Sequence, residues 1–313
     1  MTLAFVFPGQ GSQSIGMLDQ LATEYPLVQE TFSEASEVLG YDMWKLVSSG
    51  PEAALNQTER TQPAMLAAGM AVWRVWQSLT NIQPDYLAGH SLGEYTALVA
   101  SGAISFSSAI KLVELRGQYM QQAVPEGQGA MAAILGLDDE AVKMVCQQAA
   151  GNEVVEAVNF NSPGQVVIAG NVDAVIKATE LAKEQGAKRA LLLPVSVPSH
   201  CALMTPAAEK LSETLADIPI HQTRIAVIHN VSVTPAQDDA AIRVSLAQQL
   251  HNPVRWVETV QWFSNQGVDK LVECGPGKVL AGLTKRIDKT IMGLPVFDQS
   301  SLEKAVQALG EQA

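Results

Sequence analysis

The residue best placed to do covalent chemistry is Ser91, in the segment Gly89-His90-Ser91-Leu92-Gly93. This segment fits the G-x-S-x-G pattern of a nucleophile elbow, in which a sharp turn between a strand and a helix makes the serine hydroxyl project. The Leu92 N–H would then lie at a helix N-terminus, where it could stabilise an oxyanion. Because the pattern is short, an N-cap serine between two glycines stays open as an alternative.

A serine nucleophile needs a general base, and histidine is the first candidate. The sequence has five histidines: His90, His200, His221, His229 and His251. His200 follows an apolar run, in the loop 197–201, and loops at the carboxyl ends of strands are where α/β sheets place catalytic groups. From position alone, a structural role for His200 stays open. His229 lies in a predicted strand, 225–231, which favours a core or edge histidine.

Arg116 lies on the apolar side of a helix predicted over residues 108–123. Helical spacing puts it on one stripe with Leu112, Val113, Tyr119 and Met120. A guanidinium in such a place needs an anionic partner, because an unpaired buried charge is costly. One hypothesis pairs Arg116 with a core Asp or Glu. The other gives it a substrate carboxylate, held by the planar guanidinium fork.

A glycine-rich loop, Gly-Gln-Gly-Ser at 9–12, follows the short apolar run 3–7, which predicts a strand and then a turn. The loop resembles part of a dinucleotide-binding fingerprint, but Ser14 stands where the third glycine is needed. We therefore expect no dinucleotide cofactor here. A backbone N–H donor near the reaction centre fits the loop better.

The elements that would position these residues alternate between strands and helices, which favours an α/β fold with a mainly parallel sheet. A long helix is predicted from about Pro63 to Leu79, with Thr61 as its N-cap. Residues 129–195 follow the order β-α-β-β-α-β, which is the ferredoxin-like pattern. We predict a large α/β domain, residues 1–126 and 197–313, with a small ferredoxin-like domain, residues 127–196, inserted into it.

The composition argues against several classes of protein. The net charge of −12 disfavours nucleic-acid binding, which needs a basic surface. No apolar run approaches the ~20 residues of a membrane span, and the N-terminal region lacks the basic residues of a signal peptide. The three cysteines are far apart and form no CxxC or Cys/His spacing, which indicates free thiols in a reducing cytoplasm and no metal site.

Several stretches of the chain match one family together. They are FPGQGSQ at 7–13, TQPA at 61–64, GHSLGEY at 89–95, RG at 116–117, NFNSPGQ at 159–165, PSH at 198–200 and GPG at 275–277. In this order, and from end to end, the chain resembles the stand-alone malonyl-CoA:acyl carrier protein transacylases of bacterial type II fatty acid synthesis.

The resemblance implies a hydrolase-like α/β domain with a ferredoxin-like insert. It implies that Ser91 carries the acyl group, that His200 is its base and that Arg116 binds the malonyl carboxylate. It assigns further groups around them: the N–H groups of Gln10 and Leu92 to an oxyanion hole, the backbone carbonyl of Gln249 to the orientation of His200, and His90, Asn159 and Asn161 to the lining of the cleft.

The implied reaction is ping-pong transfer of malonyl from malonyl-CoA, through malonyl-Ser91, to the phosphopantetheine thiol of acyl carrier protein, without a metal or redox cofactor. With an ordinary imidazole pKa, near ~6.5, the rate should fall as the pH drops below that value. Three alternatives remain: a serine esterase or thioesterase, a polyketide-pathway malonyltransferase, and a module that binds carrier proteins without turnover.

Both implied substrates are acidic, so they must meet local basic patches on an acidic protein. Two basic pairs are available, Lys188-Arg189 and Lys285-Arg286. We predict that the carrier protein docks at these four residues, and the alternative is that both pairs are ordinary solvated surface charges.

Overall fold

The computed structural model describes residues 2–195 and 197–310. Its strands are β1 (Leu3–Phe7), β2 (Tyr86–Gly89), β3 (Gly129–Leu135), β4 (Val155–Ser162), β5 (Gln165–Asn171), β6 (Arg189–Leu192), β7 (Ala226–Ile228), β8 (Lys270–Cys274) and β9 (Met292–Val296). Its helices are α1 (Asp19–Glu24), α2 (Pro26–Leu39), α3 (Met43–Ser49), α4 (Glu52–Leu55), α5 (Thr58–Leu79), α6 (Gly93–Ala100), α7 (Phe106–Ala123), α8 (Asp139–Ala150), α9 (Val172–Glu184), α10 (Thr205–Asp217), α11 (Asp239–Gln249), α12 (Trp256–Asn265), α13 (Val279–Ile287) and α14 (Gln299–Leu309). Within these described ranges, no helix is both long and apolar enough to cross a bilayer.

The first sheet has five strands in the order β7-β2-β1-β8-β9, and all its neighbours pair in parallel. All five residues of the central strand β1 are buried, as expected when helices cover both faces of a parallel sheet. Phe5 packs edge-on against Trp73 and Trp76 of α5, at 5.4 and 5.1 Å between ring centroids. Phe7 lies opposite Gly89 in the register, so the loop after β1 and the elbow after β2 leave the sheet at the same edge.

The second sheet has four antiparallel strands in the order β4-β5-β3-β6. Helices α8 and α9 pack on one face, against alternate apolar residues such as Ala132, Ile134 and Ile168. The element order β3-α8-β4-β5-α9-β6 is the predicted ferredoxin-like pattern. The fold class predicted from the sequence is therefore confirmed.

The predicted domain boundaries stay a prediction. The second sheet and its helices occupy residues 129–192, inside the predicted insert 127–196. Residue 196, the last of that insert, lies outside the described residues, as do residue 1 and residues 311–313 of the predicted large domain.

The long helix α5 begins earlier than predicted, at Thr58, and it contains Pro63. Thr61 is therefore not an N-cap: its hydroxyl faces the preceding backbone carbonyls, at 2.5 Å from Leu55 O and 3.0 Å from Gln57 O. The first turn is held by tertiary packing on α7, because a Cβ on Gly117 would lie only 2.6 Å from the Cα of Glu59. This close approach stabilises the part of α5 that precedes Pro63. Local sequence rules would instead begin the helix at this proline.

Candidate active site

The backbone around Ser91 has the geometry of a nucleophile elbow. Ser91 lies between β2 and α6 with φ 51°, a left-handed conformation that is strained for a side chain larger than glycine. A Cβ on Gly89 would lie 1.8 Å from the carbonyl carbon of Gly93, and one on Gly93 would lie 2.0 Å from the oxygen of Phe7. Both positions therefore require glycine, and the strand–turn–helix arrangement predicted from the sequence is present.

Asn230, which follows β7, holds the elbow in this conformation. Its Oδ1 accepts a hydrogen bond from the Ser91 N–H at 2.7 Å, and its Nδ2 donates to the Gly89 carbonyl at 2.7 Å. Asn230 is fully buried. One amide therefore satisfies a donor and an acceptor of the strained turn, which offsets part of the conformational cost.

His200 is the histidine that reaches Ser91. Its Nε2 lies 2.8 Å from Ser91 Oγ, and its Nδ1 lies 2.7 Å from the backbone carbonyl oxygen of Gln249. A carbonyl can only accept, so Nδ1 carries the hydrogen and Nε2 is free to accept the serine proton. The structure thus brings together Ser91, His200 and the Gln249 carbonyl, the groups to which the resemblance assigned the nucleophile, the base and its orientation.

The protonation of His200 differs from the sequence expectation. Burial, and after it the nearby charge of Arg116, lower the pKa of His200 to about 3. For an unperturbed imidazole, the reaction rate was expected to fall as the pH drops below ~6.5. The structure corrects that expectation, because desolvation penalises the charged imidazolium. The base is therefore neutral across the physiological range.

Arg116 of α7 is buried and points toward Ser91. Its Nη1 donates to Gln62 Oε1 at 2.7 Å, and its Nη2 donates to Gln249 Oε1 at 3.0 Å and contacts Ser91 Oγ at 3.4 Å. Among the described residues, no carboxylate forms an ion pair with it, and its Nε has no hydrogen-bond partner. The structure thus favours the second sequence hypothesis, since amide oxygens orient this guanidinium but do not neutralise it.

A buried carboxylate, Glu94, organises the layer behind these groups. It accepts hydrogen bonds from His229 Nδ1 at 2.6 Å, the Asn230 N–H at 2.9 Å and Gln249 Nε2 at 2.8 Å. His229 is therefore a core histidine, as its position suggested, although the strand β7 ends one residue before it. Glu94, on the helix that follows the elbow, therefore ties α6 to the segment after β7 and to Gln249 of α11.

Sequence reasoning gave no role to Gln62, Glu94 or Asn230. A signal was present for two of them, because Gln62 and Glu94 lie inside the motifs at 61–64 and 89–95. Polar side chains in otherwise apolar helices need buried partners. The partners themselves come from distant segments, so local spacing could not identify them.

These groups open into a cavity of about 230 Å³ between the two sheets. Its lining includes five residues that the sequence placed in the cleft or the oxyanion hole: Gln10, His90, Leu92, Asn159 and Asn161. His90 Nε2 lies 2.8 Å from Asn161 Oδ1, so its side chain faces the second sheet and not the Ser91 hydroxyl. The use of the Gln10 and Leu92 N–H groups as oxyanion donors stays a prediction.

The two basic pairs lie outside the cavity lining, and all four side chains are exposed. Arg286 Nη1 donates to Gln165 Oε1 at 2.8 Å, and Gln165 lines the cavity. In the second sheet, Gln165 pairs with Leu135, which pairs with Arg189. Directly opposed residues point to the same face, so Arg189 and Arg286 lie on one side of the cavity mouth.

Comparison with known proteins gives the family. The family model of the acyl transferase domain matches residues 4–294, and the curated malonyl CoA-acyl carrier protein transacylase of Haemophilus influenzae is 58% identical over 98% of each chain. The chain belongs to the malonyl CoA-acyl carrier protein transacylases of the acyl transferase family. The resemblance described from the sequence motifs is therefore confirmed.

Solved structures of this transacylase family have the same fold. An acyl carrier protein S-malonyltransferase from Vibrio cholerae superposes with a TM-score of 0.95 at 62% identity, covering 97% of this chain and 100% of that one. A malonyl-transacylase in complex with its type II PKS acyl carrier protein superposes with a TM-score of 0.97 at 56% identity, covering 98% and 100% of the chains.

Proposed function

We propose that this chain transfers malonyl groups from malonyl-CoA to the phosphopantetheine thiol of acyl carrier protein, with Ser91 as the covalent carrier. The observation that carries the proposal is the position of Arg116, a buried guanidinium without an ion-pair partner among the described residues, 3.4 Å from the hydroxyl that His200 contacts. Such a cation suits an acyl group that ends in a carboxylate.

The first half-reaction forms malonyl-Ser91. Ser91 Oγ attacks the thioester carbonyl while His200 Nε2 takes the hydroxyl proton. The N–H groups of Gln10 and Leu92 are the proposed donors to the oxyanion. The C–S bond then breaks, and the thiolate of coenzyme A leaves with the proton from His200.

The second half-reaction repeats the chemistry with a new thiol. His200 takes the proton of the phosphopantetheine thiol, and the thiolate attacks the carbonyl of malonyl-Ser91. The C–O bond breaks, and the proton returns from His200 to Ser91 Oγ. The reaction balances without a metal or redox cofactor, and one site serves both thiols in turn, which predicts ping-pong kinetics.

We propose the cytoplasm as the location and the carrier protein of fatty acid synthesis as the acceptor. The free cysteines Cys146, Cys201 and Cys274 support a reducing compartment. The names of the relatives include malonyl CoA and acyl carrier protein, which supports an acyl carrier protein as the acceptor.

Mass spectrometry of the intact protein after incubation with malonyl-CoA tests the proposal. One malonyl group should be added, on the peptide that contains Ser91, and carrier protein should remove it. Ser91→Ala should fold normally and gain no adduct. An adduct that persists in Ser91→Ala, or one found on Cys201, would contradict the proposal. Release of the group as malonate, without transfer, would indicate a hydrolase.

A further inference from the structure

Gln62 is a buried amide that none of the proposed chemical steps uses. It lies in the second turn of α5, fully enclosed. Its Oε1 accepts a hydrogen bond from Arg116 Nη1 at 2.7 Å, and its Nε2 donates to the sulfur of Met120 at 3.4 Å. The orientation of the amide is defined by these neighbours, because a flipped amide would set two donors against each other at Arg116.

The side chain at position 62 determines whether the positive charge of Arg116 is neutralised by a neighbouring residue. Buried cations are normally paired with carboxylates, and a glutamate at this position would be such a partner. The amide oxygens of Gln62 and Gln249 orient the guanidinium equally well but carry no net charge. The acid in this region, Glu94, accepts from three other donors and makes no ion pair with Arg116. Glu94 acts on the charge of Arg116 only from a distance, without a direct ion pair, so the guanidinium can still bind a carboxylate ligand.

We propose that Gln62 is a positioning residue that sets acyl selectivity: its amide fixes the Arg116 guanidinium for a malonyl carboxylate without cancelling the charge that binds it. This inference rests on the proposed malonyl transfer. It predicts that a single change from amide to carboxylate at residue 62 removes the advantage of malonyl over an acyl group without a carboxylate, such as acetyl.

The test compares Gln62→Glu, Gln62→Met and a matched control, Gln57→Glu. Gln57 is the exposed N-cap residue of the same helix, so its change adds the same charge away from Arg116. The measurement is the initial rate of Ser91 acylation by malonyl-CoA and by acetyl-CoA, together with the melting temperature of each variant.

In Gln62→Glu, an internal ion pair should replace the substrate carboxylate, so malonyl acylation should fall by about 30-fold or more. Acetyl acylation should stay near the wild-type rate. Gln62→Met removes one hydrogen bond to a charged group but leaves the charge, so the malonyl-to-acetyl ratio should fall by only about tenfold. Gln57→Glu should behave as wild type with both acyl groups.

Equal losses with the two acyl groups in Gln62→Glu, or an unchanged ratio, would overturn the inference. If Gln62→Glu does not fold, Gln62→Met decides, since its ratio must fall while its acetyl rate is retained.

A failure of the proposed function is recognisable separately, because the wild type would then form no malonyl-Ser91. In that case the Gln62 inference is judged by labelling Ser91 with phenylmethanesulfonyl fluoride in the presence of free malonate. Malonate should slow labelling in wild type and Gln57→Glu but not in Gln62→Glu, and equal protection in all three would reject the inference.

Discussion

Arg116 influences both groups on which the covalent chemistry would depend. Its Nη2 lies 3.4 Å from Ser91 Oγ, and its charge is the second cause, after burial, of the lowered pKa of His200. The charge that would bind a malonyl carboxylate thus also disfavours a protonated base. In the proposed mechanism, selection of the acyl group and protonation of His200 would therefore be coupled through one side chain.

The selectivity role of Arg116 is testable with two acyl groups. Arg116→Ala removes one member of a buried charge pair that forms only with malonyl bound, which should cost roughly 2–5 kcal/mol, or about 30- to several-thousand-fold in transfer efficiency. Acetyl transfer should be unchanged or improved. Arg116→Lys should restore little, because an ammonium lacks the planar two-point geometry. Parallel losses with both acyl groups, together with a lower melting temperature, would indicate a structural role instead.

The pH dependence follows from the pKa of about 3 for His200. Since the folded protein keeps this imidazole neutral, Ser91 acylation by acetyl-CoA should stay nearly constant from about pH 8 to pH 5. Arg116→Ala should move the acid limb to higher pH, because one cause of the lowered pKa is gone. An acid limb near pH ~6.5 in the wild type would contradict the burial argument.

Stability should respond to the same group with a definite sign. An imidazole whose folded pKa is depressed contributes stability that is present above its unfolded pKa and is lost as the pH falls toward 3. The melting temperature should therefore be recorded at each pH, so that loss of fold is not mistaken for loss of the base.

For single residues, the sequence singled out three side chains that the structure places together, but it did not predict their surroundings. Ser91, His200 and Arg116 have side chains whose chemistry is recognisable from residue type and position. Gln62 and Asn230 are neutral amides, and their effect depends on atoms contributed by segments far away in the chain. The low pKa of His200 could not be predicted from the sequence either, because it comes from burial that only the folded chain creates.

Among the elements, the elbow depends on two glycines that let β1, β2 and α6 meet. Gly93→Ala would place a methyl group 2.0 Å from the Phe7 oxygen, which should destabilise the protein by at least ~1–3 kcal/mol. Labelling of Ser91 by a sulfonyl fluoride should also slow. Denaturant titration and labelling kinetics measure the two effects.

Gly282→Ala is the matched control for this substitution. Gly282 lies in α13, and a Cβ there would meet nothing within 4 Å. Alanine in that exposed helical position should stabilise the protein by about 0.5–1 kcal/mol and leave labelling unchanged. Similar behaviour of the two variants would show that close packing at the elbow is not what requires glycine.

The element predictions were most accurate where local patterns decide the structure. The ferredoxin-like order was readable because short apolar alternations and glycine turns separate its strands. The start of α5 was not, since it depends on the contact of Gly117 with the backbone of Glu59. Packing between helices that are distant in sequence determines such boundaries.

For the whole molecule, the net charge of −12 would repel the acidic carrier proposed as its substrate, so binding should depend on local basic residues. If Arg189 and Arg286 form the dock, Arg189→Glu and Arg286→Glu should each raise the KM for carrier protein. The defect should deepen at low salt, where repulsion is less screened. Lys177→Glu makes the same charge change on α9, which covers the opposite face of the second sheet, and it should leave KM unchanged. Wild-type kinetics in both arginine variants would place the dock elsewhere.

The volume of the cavity has a further consequence for how the protein could evolve. About 230 Å³ is less than the usual ~300–1,000 Å³ of a pocket that encloses a drug-sized ligand. In the proposed reaction, this volume would suit an acyl group and the thiol end of its arm, with the rest of the substrate outside the cavity. The acyl group and its carrier would then be recognised by separate parts of the molecule. Substitutions around Arg116 should change which acyl groups are accepted without changing the preferred carrier. Substitutions at the rim of the cavity should change the preferred carrier without changing the accepted acyl groups.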